Sequence, residues 1–390
     1  MNKKIAFLLA VVLLLVTACG STQTSQAPSG EQESKSQETA SVETGAYKIA
    51  IVTPTLSASE DEFRAGQNMV EKYPDIVKHI SLPDNFTTEV ETGVSQIVSL
   101  ADDPEMKAIV IAAGYSGLIT GLQQVKEQRP DIITVTAPIW DDPEMMAQYI
   151  DINLDTDWGR RGVTIAEKAH QMGAETFIHY SFPTHLGREM ISRRKDMMQE
   201  TCERLGLEFV EVVTPDPQAG DGVAPMLQFL REDLPRQVEK YGPDINIFGT
   251  NCPMYDVILD EALKLKFMVA EQCCPTPTQA YPAVMSLEIA PEDIANYDKI
   301  NAMISEKAAA ADMTGRLSGW PMPVTIFLPE YAVELAKEII DKDLDIKTDV
   351  MNKKFLDDFS YRTFGVNTDF EPMNGDADNF YLMIMESIFY

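Results

Sequence analysis

A regular alternation of short apolar runs and longer amphipathic runs is the strongest constraint on this chain. Residues 48–53, 108–112 and 132–136 are short, rich in β-branched side chains, and bounded by Pro or Gly. Such runs are typical of buried strands. Each is followed by about 12–15 residues with helical periodicity. Strands that alternate with helices predict a parallel sheet covered on both faces, and therefore an α/β fold.

The alternation starts again after Asp155, which predicts a second sheet. Further strands are predicted at residues 176–180, 207–213, 245–249 and 267–270, with helices between them. The chain from residue 47 to 390 is too long for one ordinary core and fits two domains. We therefore predict two doubly wound parallel-sheet lobes. No close repeat between the two halves is visible at the level of single residues.

The pattern is weaker beyond residue 284. A strand is predicted at 284–289, helices at 291–311 and 330–341, and an extended segment at 315–320. Residues 381–390 are rich in aromatic residues and Met, which predicts a segment docked into the body. We expect the N-terminal lobe to contain residues 47–153 and about 284–320. The C-terminal lobe is expected to contain residues 154–283 and about 321–390.

The first 46 residues carry targeting information and not fold. Lys3 and Lys4 precede an apolar run at residues 5–16, and residues 16–19 read Val-Thr-Ala-Cys. This resembles the signal peptide and lipobox of bacterial lipoproteins. The resemblance implies cleavage after residue 18 and acylation of Cys19, which anchors the protein outside the cytoplasm. Residues 20–46 are almost free of apolar side chains and are expected to form a disordered tether.

The formal net charge of −29 argues against partners that are themselves anionic. Nucleic acid and direct adhesion to anionic lipid are both disfavoured. No His or Cys spacing is typical of a zinc site, so neither a metal nor another cofactor is expected. After Cys19, four cysteines are too few for a disulfide scaffold. We expect one disulfide from Cys252 to Cys273 or Cys274; the alternative is free thiols.

In the order of its elements, the chain resembles the type I periplasmic (solute) binding protein family. Three short motifs carry the resemblance: Val-Thr-Pro-Thr at 52–55, Ile-Val-Ile-Ala-Ala-Gly at 109–114, and Ile-Phe-Gly-Thr-Asn at 247–251. The resemblance implies two lobes joined by hinge crossovers, with a ligand bound in the cleft between them. The loops differ from those of familiar sugar binders, which places the chain in a divergent, poorly characterised subfamily.

In this fold, the loops that follow the strands converge on the cleft. The loop at residues 180–188, with two aromatic residues, a His and an Arg, lies between a predicted strand and a predicted helix. Aromatic faces stack on rings, and polar side chains orient hydroxyl or carbonyl groups. The expected ligand-binding residues are Thr53, Ser57, Arg64, Tyr115, Ser116, Trp140, Asp141, Tyr180, Phe182, His185, Arg188, Asn251 and Gln272.

Simpler structural roles are open for several of these residues. Tyr180 and Phe182 are equally compatible with a core position, and Trp140 with packing near the hinge. Asp141 precedes a Pro and is also a candidate helix cap, while Asn251 is a candidate turn residue. The ligand set is therefore an expectation that depends on which side chains face the cleft.

The expected function is capture of a small polar ligand, such as a sugar, a nucleoside or a related metabolite. The resemblance implies a monomer that delivers its ligand to an ABC permease after hinge closure. A sensing subunit of a signalling receptor is the alternative. A cell-surface hydrolase is less favoured, because neither a Gly-x-Ser-x-Gly nor a His-Glu-x-x-His motif occurs, and we expect no enzymatic activity.

Overall fold

Two parallel-dominated sheets, each flanked by helices, form the body of the protein. The computed structural model describes residues 46–85, 88–220, 222–373 and 378–390. The predicted signal peptide, Cys19 and all but the last residue of the tether lie outside these ranges. Within them, the mixed α/β class predicted from the alternation is confirmed.

The first half of the chain builds most of the larger sheet. Its elements are β1 (Lys48–Thr53), α1 (Glu60–Lys72), β2 (Val77–Ser81), α2 (Val90–Ser99), β3 (Met106–Ile111), β4 (Gly114–Tyr115), α3 (Ile119–Gln128), β5 (Ile133–Thr136), β6 (Ile139–Trp140), α4 (Pro143–Tyr149) and β7 (Ile152–Thr156). Short 3-10 turns occur at Leu100–Asp102 and Pro291–Asp293. In β1 and β3 all but one residue is buried, as expected for strands covered on both faces.

The second half builds the smaller sheet and then returns to the larger one. Its elements are α5 (Arg161–Gln171), β8 (Thr176–Ser181), α6 (Pro183–Leu186), α7 (Glu189–Leu205), β9 (Glu208–Val213), α8 (Ala224–Tyr241), β10 (Ile245–Gly249), α9 (Met254–Leu265), α10 (Tyr281–Val284), α11 (Tyr297–Ala310), β11 (Ser318–Gly319), α12 (Val324–Lys342), α13 (Lys353–Phe364), β12 (Thr368–Pro372), β13 (Phe380–Met385) and β14 (Ile388–Phe389). A π-helical turn covers Ile346–Val350.

The larger sheet has the strand order β12-β13-β7-β5-β3-β1-β2, and only the β12–β13 pair is antiparallel. The smaller sheet has the order β10-β8-β9 and is parallel. The predicted strand at 267–270 contributes isolated bridges, Met268 to Asn246 and Val269 to Leu317. Short pairs β4–β6 and β11–β14 lie outside both sheets.

The structure corrects the expected division of the C-terminal third between the lobes. Strands β12 and β13 extend the larger sheet, and α12 packs against α1 in the same core. Helix α11 and the segment around Leu317 instead pack with the smaller sheet. The assignment is therefore the reverse of the one expected from the sequence, because the chain crosses between the sheets near Trp320 and again after Met385.

The strand predicted at 284–289 is also wrong. Helix α10 ends at Val284, and Ser286 has a positive φ of 52°, which breaks an extended conformation. The docked C-terminus is confirmed, since β13 lies inside the larger sheet and Tyr390 is buried. No helix within the described ranges is both long and apolar enough to cross a membrane.

Candidate functional site

Each sheet carries the same hydrogen-bonded Thr–Asp pair at the carboxyl ends of two neighbouring strands. In the larger sheet, Thr55 follows β1 and its Oγ1 donates to Asp84 Oδ1, after β2, at 2.7 Å. In the smaller sheet, Thr184 follows β8 and its Oγ1 donates to Asp216 Oδ2, after β9, at 2.6 Å. All four residues come directly after a Pro. The two lobes therefore present related polar edges.

The backbone supports this equivalence. In the larger sheet, the amide of Leu82 donates to the carbonyl of Thr53 at 2.8 Å. In the smaller sheet, the amide of Thr214 donates to the carbonyl of Ser181 at 2.8 Å. Each Asp then lies two residues after the donating amide. Sequence reasoning missed Asp84, Thr184 and Asp216. The available signal was a Pro-Thr or Pro-Asp dipeptide shortly after the end of a strand.

Two aromatic side chains form an exposed platform beside the first of these edges. Tyr115 on β4 and Trp140 on β6 pack edge to face, with ring centroids 5.3 Å apart. The exposed fractions are 37% for Tyr115 and 46% for Trp140. These two rings were predicted to face a ligand, and the structure places them together on the surface.

Asp141 holds the loop beneath this platform. Its Oδ2 accepts from the Gly117 amide at 2.8 Å, and its Oδ1 accepts from the Asp142 amide at 2.9 Å. Ser116 Oγ lies 3.5 Å from the same carboxylate. The helix-cap role considered for Asp141 belongs to Asp142, which accepts from the Met145 amide at the start of α4.

The other expected residues of the first lobe are more dispersed. Thr53 is buried, and its hydroxyl lies 2.7 Å from His79 Nε2, so it supports the core and does not face a cleft. Ser57 is exposed and lies 3.2 Å from Asp84, which makes it part of the polar edge. Arg64 lies on α1, where it pairs with Glu60 one turn earlier.

Two aromatic residues expected at the second lobe's site are core residues instead. Tyr180 is fully buried, and its hydroxyl donates to Asp233 on α8 at 2.9 Å. Phe182 is also fully buried and lies in the same apolar cluster. Periodicity could not decide this orientation, because β8 is buried on both faces and its burial pattern shows no alternation.

His185 and Asn251 lie close to the edge of the second lobe. The His185 ring stacks on Phe182 at 4.0 Å, and its Nδ1 lies 3.2 Å from Thr250 Oγ1. Burial lowers the pKa of His185, which favours the neutral imidazole. Asn251 Oδ1 is buried and has no hydrogen-bond partner among the described residues. Such an acceptor is available to a donor group of a ligand.

Arg188 and Gln272 have structural partners of their own. Arg188 is the residue before α7 and donates to Gln218 at 3.3 Å. Gln272 is fully buried; its amide donates to the carbonyl of Gln279, and its oxygen accepts from the Thr276 amide. Gln272 therefore organises the 272–279 loop, which corrects its expected role as a ligand contact.

The four described cysteines are free thiols, so the expected disulfide is not present in this structure. The sulfurs of Cys252 and Cys274 nevertheless lie 3.3 Å apart. Cys273 Sγ donates to the carbonyl of Thr250 at 3.2 Å. Three of the four thiols thus meet beside Asn251.

A buried arginine joins the chain crossings between the sheets. Arg161, at the start of α5, pairs with Glu271 at 2.6 Å, and both side chains are almost fully buried. Its guanidinium lies 5.1 Å from the ring centroids of both Trp158 and Trp320. Ser387, in the last crossing, donates to the other oxygen of Glu271 at 2.9 Å. This cluster therefore connects segments that cross between the two sheets.

The polar edges of the two lobes are not joined to each other. No hydrogen bond between described residues links the loops after β1, β2, β3 or β5 to those after β8, β9 or β10. A cavity of about 370 Å³ lies elsewhere, between α5 and the ends of β12 and β13. The arrangement is that of surfaces open to solvent.

Comparison with known proteins places the chain among relatives of undetermined activity. The family model described as "Protein of unknown function (DUF3798)" matches residues 47–318. An uncharacterized protein of Treponema pallidum (strain Nichols) is 29% identical over 178 residues, which cover 44% of this chain and 80% of that protein.

Solved structures are similar at two levels. A crystal structure from Clostridium difficile 630, described as that of a candidate transcriptional regulator, is 42% identical, with a TM-score of 0.86 over 88% of this chain and 99% of that chain. The periplasmic ribose ABC transporter protein of Conexibacter woesei DSM 14684 is 12% identical, with a TM-score of 0.47 over 77% and 88% of the two chains.

Proposed function

The chain belongs to the DUF3798 family, and we propose that it is a lipid-anchored binding protein that captures a small polar ligand between its two lobes. The observation that supports this proposal most is the matched pair of polar edges, Thr55–Asp84 and Thr184–Asp216, at the carboxyl ends of strands in both sheets. Ligands in open α/β sheets bind at this end. The protein would bind its ligand without transforming it.

The chemistry of these edges favours a ligand with a ring and several hydrogen-bond donors. Trp140 and Tyr115 offer exposed aromatic surface, and Asp84, Asp141 and Asp216 offer carboxylate acceptors. Both arginines in the expected set have protein partners: Arg64 pairs with Glu60, and Arg188 donates to Gln218. A sugar or a nucleoside fits this chemistry better than a carboxylated or phosphorylated compound.

Ligand capture outside the cytoplasm also agrees with the N-terminal sequence. The lipobox-like residues 16–19 imply acylation of Cys19, and the polar segment after it would connect this anchor to the lobes. We infer delivery to an ABC permease, with the hinge around Arg161 allowing the lobes to close. A sensing subunit would use the same capture step and report closure to a receptor.

A DNA-binding role is less favoured for this chain. The related Clostridium difficile structure carries the description of a candidate regulator. However, a formal charge of −29 would repel nucleic acid, and specific binding normally requires a basic surface. Retention on a DNA column at low salt would argue for that role and against ours.

Mass spectrometry of small molecules released from the purified protein tests the proposal. We expect one polar compound in near-stoichiometric amount. Added back at 100 times its dissociation constant, it should raise the free energy of unfolding by about 2.7 kcal/mol. Purified protein that carries no compound and is not stabilised by any sugar or nucleoside in a thermal-shift screen would contradict it.

The anchor is tested separately. We expect the wild-type protein to incorporate labelled palmitate and to sediment with membranes. The Cys19→Ser variant should do neither, while Cys202→Ser, which changes a buried thiol, should behave as wild type. Equal palmitate incorporation by Cys19→Ser would exclude this residue as the acylation site.

A further inference from the structure

Three thiols from two loops meet at one place in the second lobe. Cys252 follows β10, and Cys273 and Cys274 follow the bridged segment at residues 268–269. Cys252 and Cys274 are 22 positions apart in the sequence, yet their sulfurs lie 3.3 Å apart. Cys274 is exposed and Cys252 is half-buried, so reagents in solution can reach this pair. An S–S bond is about 2.05 Å long, so disulfide formation would draw the two sulfurs roughly 1.3 Å closer together.

Cys273 is held apart from this pair by its own contacts. It is buried, its sulfur lies 3.2 Å from the Thr250 carbonyl, and Arg194 Nη2 lies 3.6 Å from it. Hydrogen bonds from Cys252 and Cys274 lower the pKa of Cys273 well below its usual value, and Arg194 adds to this against the effect of burial. The pKa values of Cys252 and Cys274 are raised, so Cys273 differs from both of them in its surroundings.

Geometry also argues against a bond between the two adjacent cysteines. Neighbouring Cα atoms are about 3.8 Å apart, whereas disulfides usually join Cα atoms about 4.4–6.8 Å apart. A Cys273–Cys274 disulfide would be strained. Arg161 further restrains this segment, because its guanidinium donates to the carbonyls of Gln272 and Cys273 at 2.8 Å.

We propose that Cys252 and Cys274 form a redox-active dithiol that small disulfides convert into an intramolecular disulfide, while Cys273 remains a thiol. The exposed Cys274 attacks the disulfide RSSR, which forms a mixed disulfide, and the departing RS⁻ takes up the Cys274 proton. Cys252 then attacks the Cys274 sulfur, and its proton passes to the second RS⁻ that leaves. Overall, two cysteine thiols and RSSR give one protein disulfide and two RSH.

This modification would act on the loop that bears Asn251. The new bond would tie the end of β10 to the 272–279 loop, which Gln272 and Arg161 already hold. Oxidation is thus expected to rigidify one side of the proposed ligand surface. Formation of this disulfide depends only on the thiols and not on what the lobes bind.

Peptide mapping without reduction tests the proposal on the full-length protein. The protein is purified under reducing conditions, treated with oxidised glutathione, blocked with iodoacetamide, digested and analysed by mass spectrometry. We expect one cross-linked peptide pair that contains Cys252 and Cys274, with Cys273 carrying the alkyl group. Its mass should show the loss of two hydrogen atoms relative to the two reduced peptides.

Four variants test which cysteines take part in the cross-link. Cys252→Ser and Cys274→Ser should each abolish the cross-link, and Cys202→Ser, a buried thiol outside the cluster, should leave it unchanged. Cys273→Ser should still form the Cys252–Cys274 bond, because only these two sulfurs take part in it. A cross-link through Cys273, a glutathione adduct that never resolves, or no reaction in the wild-type protein would each overturn the proposal.

Discussion

Single residues decide which of the expected ligand contacts remain available. Tyr180 lies near the end of β8 and Trp140 at the end of β6, yet Trp140 is exposed and Tyr180 is fully buried. The difference comes from their neighbours: Trp140 lies on the short β4–β6 pair outside the main sheets, whereas the Tyr180 hydroxyl finds Asp233 inside the lobe. A buried hydroxyl that is hydrogen-bonded costs little, so the core retains it.

Replacement of Trp140 should weaken ligand binding without unfolding the protein. Trp140→Ala removes an exposed ring, and the loss of its contact with a ligand should cost about 1.5–3 kcal/mol, a tenfold or greater loss of affinity. Calorimetry with the co-purified compound measures this. Tyr361→Ala, which removes an exposed ring on α13, is the control and should bind normally. Equal affinity in both variants would exclude Trp140 from the site.

Asp155 on β7 should make stability depend on pH. Burial raises the pKa of Asp155 to about 7, and Asp157 adds to this against the hydrogen bond from the Thr156 amide. The unfolded pKa is about 3.9. Because the folded state holds this proton more tightly, the contribution of Asp155 to the free energy of unfolding should be fully present below about pH 4 and lost as pH rises towards 7.

Asp155→Asn removes this titration. Each unit of pKa shift corresponds to about 1.4 kcal/mol. Asp155 is only half-buried by its accessible surface, which reduces the expected effect. From pH 5 to pH 8, the free energy of unfolding of the variant should rise by about 2 kcal/mol relative to that of wild type. Urea denaturation at the two pH values measures this. Asp75→Asn, at an exposed position, is the control and should show no such gain. A constant difference at both pH values would refute the assignment.

At the scale of elements, helices α5 and α7 approach closely because one contact position is a glycine. A Cβ on Gly162 would lie 2.4 Å from the carbonyl oxygen of Arg194 and 2.9 Å from Met197 Cβ. Backbone cannot move aside as a side-chain end can. The close approach also positions Arg194, which reaches from α7 to the Cys273 sulfur.

Gly162→Ala should therefore separate the two helices. Overpacking of this kind costs about 1–3 kcal/mol, and denaturant unfolding should show it as a lower midpoint. Gly159→Ala is a close control, since the nearest atoms to its added Cβ would lie 3.7 Å away. We expect the control to change stability by less than about 1 kcal/mol. Equal effects would mean that α5 and α7 do not pack as described.

At the scale of the whole molecule, the chain crossings meet around one buried ion pair. Arg161 lies close to the rings of Trp158 and Trp320 and pairs with Glu271, which also accepts a hydrogen bond from Ser387. A buried pair of this kind contributes little net stability, but it becomes costly when only one partner is removed.

Arg161→Met should destabilise the protein by about 3–5 kcal/mol, because Glu271 would remain as an uncompensated buried charge. The double variant with Glu271→Met should recover part of the loss. Arg204→Met breaks an exposed pair with Glu167 and should cost less than about 1 kcal/mol. Chemical denaturation of the four proteins measures these differences. A double variant no more stable than Arg161→Met alone would argue against the pair as the cause.

The local alternation of apolar runs and helices was enough to predict the α/β class, the two sheets and most of their strands, because burial on both faces leaves a signature in each short segment. Which sheet the last 110 or so residues would join left no such signature. Strand β13 inserts beside β7, more than 220 positions away in sequence, through pairing of Phe380 with Asn153.

The candidate site, like the fold, could be predicted from the sequence only in part. Its location after the strands follows from the order of elements, and exposed Trp140 could be proposed from its loop. The Thr–Asp edges, the burial of Tyr180 and the meeting of three thiols arise only when separate loops pack together. Local sequence sets the conformation of each segment, whereas side-chain orientation and long-range neighbours depend on how the segments fill a shared core, and this is decided only in the tertiary structure.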